Sequence, residues 1–152
     1  MHRVILVSER SVAVDAWEAL FRAEVSILRH LNSEFPSGEI AFNEYDVLFN
    51  LSRQQGRKLR LRDLNKHLLL TQPSVSRLVD RLVERGFVTK ESDPGDGRGT
   101  VVCLTGVGNE LFRRVAVIHA ESIRRRVGGA LSPTELEQLI VLTDKLRLGS
   151  NA

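Results

Sequence analysis

Residues 63–104 constrain this chain more than any other stretch, because two short helices and a two-stranded ribbon must follow one another within them. Thr71 is a suitable N-cap, and the spacing predicts a helix from Gln72 or Pro73 to Glu84, closed by Gly86. Val75, Leu78, Val79, Leu82 and Val83 recur at helical intervals and form one apolar face. Gln72, Ser74, Ser76 and Arg77 lie off that face, near the helix start. Short or fork-shaped polar side chains on a helix held from behind suit an element that enters a DNA major groove. A preceding helix is expected over 63–69, with Leu64 and Leu68 inward, linked through Leu70 and Thr71. Two helices joined by so few residues make a helix-turn-helix. Residues 87–91 and 100–104 are β-prone. The segment between them, Ser92-Asp93-Pro94-Gly95-Asp96-Gly97-Arg98-Gly99, is dense in turn formers. The expectation is a hairpin whose flexible tip carries one strong cation, Arg98.

Charge is concentrated in the same region. Of 22 Lys and Arg, 11 lie within 52–100, against 6 of the 19 Asp and Glu, so this stretch carries +5 and the rest of the chain −2. A polyanion-binding surface requires such a distribution. Residues 57–60, Arg57-Lys58-Leu59-Arg60, read as a basic connector that contacts phosphate. Asp80 and Glu84 are expected to pair with arginines on their own helix rather than to act in catalysis.

The helical period extends to both sides. Residues 1–10 carry no clear pattern and leave open an arm, a strand or an extension of the first helix. From Ser11, a wide apolar belt that includes Val14, Trp17, Leu20, Phe21, Leu28 and Leu31 predicts a helix buried against two neighbours, one from another subunit. A second helix fits 43–53, with Tyr45, Val47, Leu48 and Leu51 inward. Thr105 can cap a fifth helix to about 127, with the stripe Val107, Leu111, Val115, Ile118 and Ser122. Ser132-Pro133-Thr134-Glu135 is a strong start signal for a sixth helix to about 148, with Leu136, Leu139, Ile140, Thr143 and Leu146 inward.

At 152 residues with 42% hydrophobic and 27% charged residues, a packed core is expected and disorder is not. One cysteine, Cys103, excludes an intramolecular disulfide and a thiolate zinc cluster. Its apolar strand marks it as a small core residue. The histidines, His2, His30, His67 and His119, are scattered and read as surface or interface residues. No metal and no cofactor is expected. No apolar run reaches membrane-spanning length and no signal peptide is recognisable, so a cytoplasmic protein without membrane association is expected. The chain lacks a nucleophile–base pair and a P-loop. Its glycine-rich run follows one strand and leads into another, so a nucleotide fingerprint fails and no enzyme is expected.

The run Thr71-Gln72-Pro73-Ser74-Val75-Ser76-Arg77-Leu78-Val79-Asp80-Arg81-Leu82-Val83-Glu84-Arg85-Gly86-Phe87-Val88 resembles the recognition helix of the MarR family, the multiple-antibiotic-resistance type of bacterial transcription regulators. Asp93-Pro94-Gly95-Asp96-Gly97-Arg98-Gly99 resembles that family's wing. Leu104-Thr105-Gly106-Val107-Gly108 resembles the lead-in to its fifth helix, and Glu44-Tyr45-Asp46-Val47-Leu48 its second helix. The resemblance implies a mainly α protein with a small β-hairpin wing, a winged helix-turn-helix whose N- and C-terminal helices form a dimerisation module. It divides the chain into 1–40 (dimerisation), 41–105 (DNA binding) and 106–152 (dimerisation). It implies a homodimer that reads an inverted-repeat operator in double-stranded DNA, as a repressor relieved by a small aromatic or anionic effector. Arg98 matches the wing arginine that enters the minor groove, and Asp96 the aspartate that orients it. Gln72, Ser74, Ser76, Arg77 and Arg81 fall on the recognition helix, and Arg62 adds a phosphate contact. Trp17, Phe21 and Phe112 are candidates for the core, for the dimer seam or for an effector pocket. The alternative function is a winged-helix protein-interaction adaptor without sequence-specific DNA binding, against which the basic wing and serine-rich helix argue.

Overall fold

A computed structural model describes residues 2–68 and 70–149. In chain order the elements are helices α1 (His2–Glu34) and α2 (Phe42–Ser52), strand β1 (Lys58–Arg60), helices α3 (Leu61–His67) and α4 (Gln72–Glu84), strands β2 (Val88–Asp93) and β3 (Asp96–Leu104), and helices α5 (Gly106–Ile123) and α6 (Pro133–Gly149). The first ten residues, open in the sequence reading, are helical from His2, while Met1 lies outside the described residues. So does Leu69, the expected end of the third helix; α3 itself is assigned from Leu61 to His67. The chain divides into two compact units, Phe35–His119 and a second made of Met1–Glu34 with Ala120–Ala152. The sequence boundary at 105 therefore differs from the structural one, since most of α5 belongs with the central unit.

In the central unit the apolar face of α4 is the floor of the core. Val75, Leu78, Val79 and Leu82 are buried, together with Val47, Leu48 and Leu51 of α2 and Leu64 of α3. A Schellman motif ends α4: Phe87 N–H donates to Leu82 O at 3.0 Å and Gly86 N–H to Val83 O at 3.0 Å. Gly86 has φ of 79°, which a side chain would strain. At the other end of the same helix, Thr71 Oγ1 donates to Ser74 Oγ at 2.9 Å and makes no side-chain bond to a helix N–H.

The sheet is three-stranded and antiparallel in the order β1-β3-β2. Its first strand corrects the sequence reading, which made residues 57–60 a connector. Leu59 pairs with Val102 and Arg60 with Val101, so the basic run is an edge strand. The wing tip is also more regular than expected. Strand pairing continues to Asp93↔Asp96, with an irregularity between Ser92 and Asp93.

The buried stripe of α5 is Gly108, Leu111, Val115, His119 and Ser122. Val107 and Ile118, expected on it, are 61% and 52% exposed. A glycine and a histidine occupy the places where the period predicts apolar side chains. His119 is buried, contrary to its reading as a surface or interface residue. Its ring meets Phe35, Phe42 and Tyr45 edge-on, with centroids 5.2–5.5 Å away, and its Nδ1 has no hydrogen-bond partner among the described residues. Burial pushes the His119 pKa below its ordinary 6.5. The folded state therefore holds the neutral ring while the unfolded chain protonates near 6.5. Stability from this group is present above that pH and falls as the solution is acidified through it. Melting temperatures should drop from pH 7 toward pH 5, and His119→Leu should flatten that limb; an unchanged limb would mean that other groups set it.

In the other unit, α6 starts with the predicted capping box: Glu135 N–H donates to Ser132 Oγ at 3.3 Å and Ser132 N–H to Glu135 Oε2 at 2.8 Å. The α6 stripe, however, is not inward in the single chain. Leu139, Ile140, Leu142 and Leu146 are exposed, as are Val14, Trp17 and Phe21 of α1. Arg125, in the π turn Arg124–Gly128 after α5, reaches Glu34 at 3.8 Å. Among the described residues no helix is long and apolar enough to cross a membrane.

Candidate nucleic-acid interface

The candidate interface lies wholly in the central unit and is built from three places. The start of α4 presents Gln72, Ser74, Ser76 and Arg77. The β1–α3 corner presents Arg60, Arg62 and Asn65. The hairpin of β2 and β3 presents Asp93, Asp96, Arg98, Gly99 and Thr100. A concavity of about 340 Å3 is lined by Arg60, Leu61, Arg62, Asn65, Gln72, Ser76, Asp93, Asp96, Arg98, Gly99 and Thr100. It gathers Arg62, Gln72, Ser76, Asp96 and Arg98 of the expected DNA-binding set. Ser74, Arg77 and Arg81 are not part of its lining; the two arginines are on α4, and Arg77 Nη2 lies 3.5 Å from Ser74 Oγ.

Ion pairing separates cations that hold the fold from cations that remain available. Arg85 Nη1 meets the buried Glu44 Oε2 at 3.4 Å, donates also to Glu39 O, and lies over the Phe87 ring at 4.9 Å. Arg114 meets Glu39 at 3.2 Å and Lys66 meets Asp63 at 3.0 Å. Asp80 pairs with Lys90 of β2. That corrects the expectation that Asp80 pairs with an arginine on its own helix: the neighbouring strand brings a lysine closer. By contrast Arg62, Arg77, Arg81 and Arg98 take part in no ion pair among the described residues. An uncompensated guanidinium is the group that phosphates and base edges recognise.

Both wing carboxylates are engaged with the backbone. Asp96 Oδ1 accepts the Arg98 N–H at 3.1 Å, so the aspartate sets the Arg98 backbone, while no bond joins it to the guanidinium among the described residues. Asp93 Oδ1 accepts the Gly95 N–H at 3.0 Å, and Asp93 Oδ2 forms an ion pair with Arg60, 2.6 Å from its Nε. Sequence reasoning does not single out Asp93 and Arg60 as a pair. The Asp-Pro-Gly run does carry the signal for an aspartate that caps its own turn two residues on. Nothing local links it to Arg60, some thirty residues earlier. Asn65 also lacks a sequence signal as a site residue; its Oδ1 is buried without a hydrogen-bond partner among the described residues.

Cys103 sits on the centre strand beside Lys58 and Thr89. Burial pushes its thiol pKa up, and the Glu91 carboxylate pushes it further. A thiol held protonated in this way is a poor peroxide-reactive nucleophile. Among the described residues no group of three or more His, Cys, Asp or Glu is arranged to hold a metal ion. Trp17 and Phe21 lie together on α1 with centroids 5.9 Å apart, whereas Phe112 packs against Tyr45 at 5.4 Å in the central unit.

Comparisons with known proteins bear on the same residues. A sequence model of the MarR family matches residues 40–99, which contain the helix pair and the wing. The HTH-type transcriptional regulator YkoM of Bacillus subtilis is 36% identical over 140 residues, 91% of this chain and 88% of YkoM. The MarR family transcriptional regulator Sco3205 of Streptomyces coelicolor, solved in complex with DNA, superposes with a TM-score of 0.75 at 28% identity, covering 88% of this chain and 84% of that one. BpsR of Bordetella bronchiseptica, whose DNA binding is regulated by 6-hydroxynicotinic acid, superposes with a TM-score of 0.71 at 26% identity, covering 89% and 92%.

Proposed function

Since the chain belongs to the MarR family of transcriptional regulators, we propose that it acts as a homodimer on an inverted-repeat operator, as a cytoplasmic repressor that a small aromatic or anionic molecule releases. It is a DNA-binding transcriptional regulator, and the family is one of transcription factors rather than enzymes. The observation that carries the reading is the set of arginines without an ion pair among the described residues: Arg62 and Arg98, which line one concavity with Gln72 and Ser76, and Arg77 and Arg81 on α4. The start of α4 reads base edges in the major groove, and Arg98 enters the adjacent minor groove. Asp96 holds the backbone from which Arg98 projects.

Dimerisation is supported by apolar surface. Val14, Trp17 and Phe21 of α1 and Ile140, Leu142 and Leu146 of α6 are each more than half exposed in the single chain, and large apolar side chains exposed in such number suit an interaction surface. A homodimer presents two recognition helices, whose spacing must match one turn of DNA, about 34 Å. An effector that favours another spacing lowers DNA affinity by its differential binding to the two states, and by no more. That effector is supported by BpsR, whose DNA binding 6-hydroxynicotinic acid regulates. Trp17, Phe21 and Phe112 are the aromatic residues whose replacement should change the response.

Selection of bound sequences from a random duplex library, at low and high salt, tests this reading. The expected result is an inverted repeat with half-site centres about 10 base pairs apart, and binding that weakens steeply with salt. Absence of any enriched sequence, with binding equally weak to all duplexes, would overturn it.

A further inference from the structure

We infer that Arg60 is a DNA-phosphate ligand and that Asp93 is the positioning residue that aims it, an inference that rests on the DNA-binding reading above. The Asp93 side chain is 5% exposed and that of Arg60 41%. Asp93 Oδ2 forms an ion pair with Arg60, 2.6 Å from its Nε, and its other oxygen is held by the Gly95 N–H. Both carboxylate oxygens are thus committed inside the protein. The two terminal nitrogens of Arg60 have no protein acceptor among the described residues and remain able to donate to an oxyanion. Because β1 and β2 flank β3, Arg60 must reach across the centre strand to meet Asp93. Gly99 of that strand leaves the room: a Cβ there would lie 3.0 Å from Asp93 Cβ and 3.3 Å from its Oδ2.

The place of this clamp decides its ligand. A helix that reads the major groove and a wing that enters the next minor groove must straddle one sugar-phosphate strand. The concavity is lined from both sides, by Gln72 and Ser76 of α4 and by Asp96, Arg98 and Thr100 of the hairpin. Arg60 and Arg62 line the same concavity. The strand that divides the two grooves therefore passes over Arg60. A guanidinium already held by an ion pair to a buried carboxylate loses less rotamer freedom on binding phosphate than a surface arginine does.

The test uses the whole 152-residue chain and a fluorescein-labelled duplex of about 30 base pairs, with binding followed by anisotropy over a range of salt. For Arg60→Gln the affinity should fall about tenfold near 0.1 M salt, and the slope of log affinity against log salt should flatten by about 0.9 for each phosphate no longer neutralised. Arg60→Lys should keep most of the slope but not the full affinity. Asp93→Asn is the discriminating variant. Removal of an acidic charge from a DNA-binding surface should tighten binding if only net charge counts; loss of the positioning group should weaken it. Asp93→Asn is expected to weaken binding severalfold when Arg60 is present and to add nothing in the Arg60→Gln background. An unchanged salt slope for Arg60→Gln, tighter binding by Asp93→Asn, or an equal loss with and without Arg60 would overturn the inference. If Asp93→Asn fails to fold, shown by loss of its thermal transition, the Arg60→Gln slope alone decides. Wild-type protein that fails to bind the duplex even at low salt would instead sink the DNA-binding reading itself.

Discussion

Replacing Gly108 with alanine is expected to destabilise the protein by about 3 kcal/mol, near the upper end for overpacking. A Cβ at this position would lie 2.0 Å from the Phe87 carbonyl oxygen, 2.9 Å from its carbon and 3.0 Å from Leu104 Cδ1. That carbonyl cannot turn aside. Its oxygen accepts the Thr105 N–H at 3.1 Å, and the Phe87 N–H closes the Schellman motif on Leu82. Thr105 fixes the other side, for its hydroxyl donates to Gly86 O at 2.7 Å and accepts the Gly108 N–H at 3.0 Å. The methyl group therefore requires α5 to move away from the α4–β2 corner, opening Leu111 and Val115 beneath it. Alanine has the better helix propensity by about 1 kcal/mol, so the clash must exceed that gain before any loss is seen. Gly106→Ala is the matched control, because a Cβ there meets nothing within 4 Å. Urea midpoints measure the difference. Equal midpoints for the two variants would mean that α5 can shift without loss.

Helix existence was legible where a cap signal and an apolar period coincided. Ser132-Pro133-Thr134-Glu135 announces α6, and both bonds of the box are present. The α4 face was legible because a single stripe, Val75 to Leu82, meets a single core. Strand β1 was not, since three residues are too few to display alternation and two of them are basic. On α5 Leu111, Val115 and Ser122 were legible, while Val107 and Ile118 gave way to their neighbours, because close backbone contact at Gly108 and an aromatic nest at His119 substitute for aliphatic packing. Neither leaves an apolar letter in the sequence. Among interface residues, those on one element could be proposed from local pattern. The Arg60–Asp93 pair joins two strands that become neighbours of the same centre strand only on folding. Burial of Asp93 is thus a tertiary fact with no local trace. The exposed apolar residues of α6 are a related case: periodicity identifies which residues share a face, but not whether that face is covered by the same chain.

Arg98→Ala is expected to lose about 1–3 kcal/mol of DNA affinity, and the change in sequence preference matters more than the loss. Arg98 is exposed, has no ion-pair partner among the described residues, and leaves a backbone N–H already bonded to Asp96. Its guanidinium is therefore presented rather than consumed. A narrow, A·T-rich minor groove carries a deepened negative potential that favours an inserted arginine. Sequences selected by Arg98→Ala protein should lose A·T preference at the positions that face the wing and keep the major-groove half-site. Arg77→Ala should do the reverse, weakening discrimination under α4 while leaving the outer A·T preference intact. Asp96→Asn keeps an acceptor for the Arg98 N–H and should behave almost as wild type, whereas Asp96→Ala removes it and should share part of the Arg98→Ala defect. A uniform loss of affinity by Arg98→Ala, with the selected sequence unchanged, would mean that Arg98 only neutralises phosphate. In that case the wing would add attraction, and all base discrimination would come from α4.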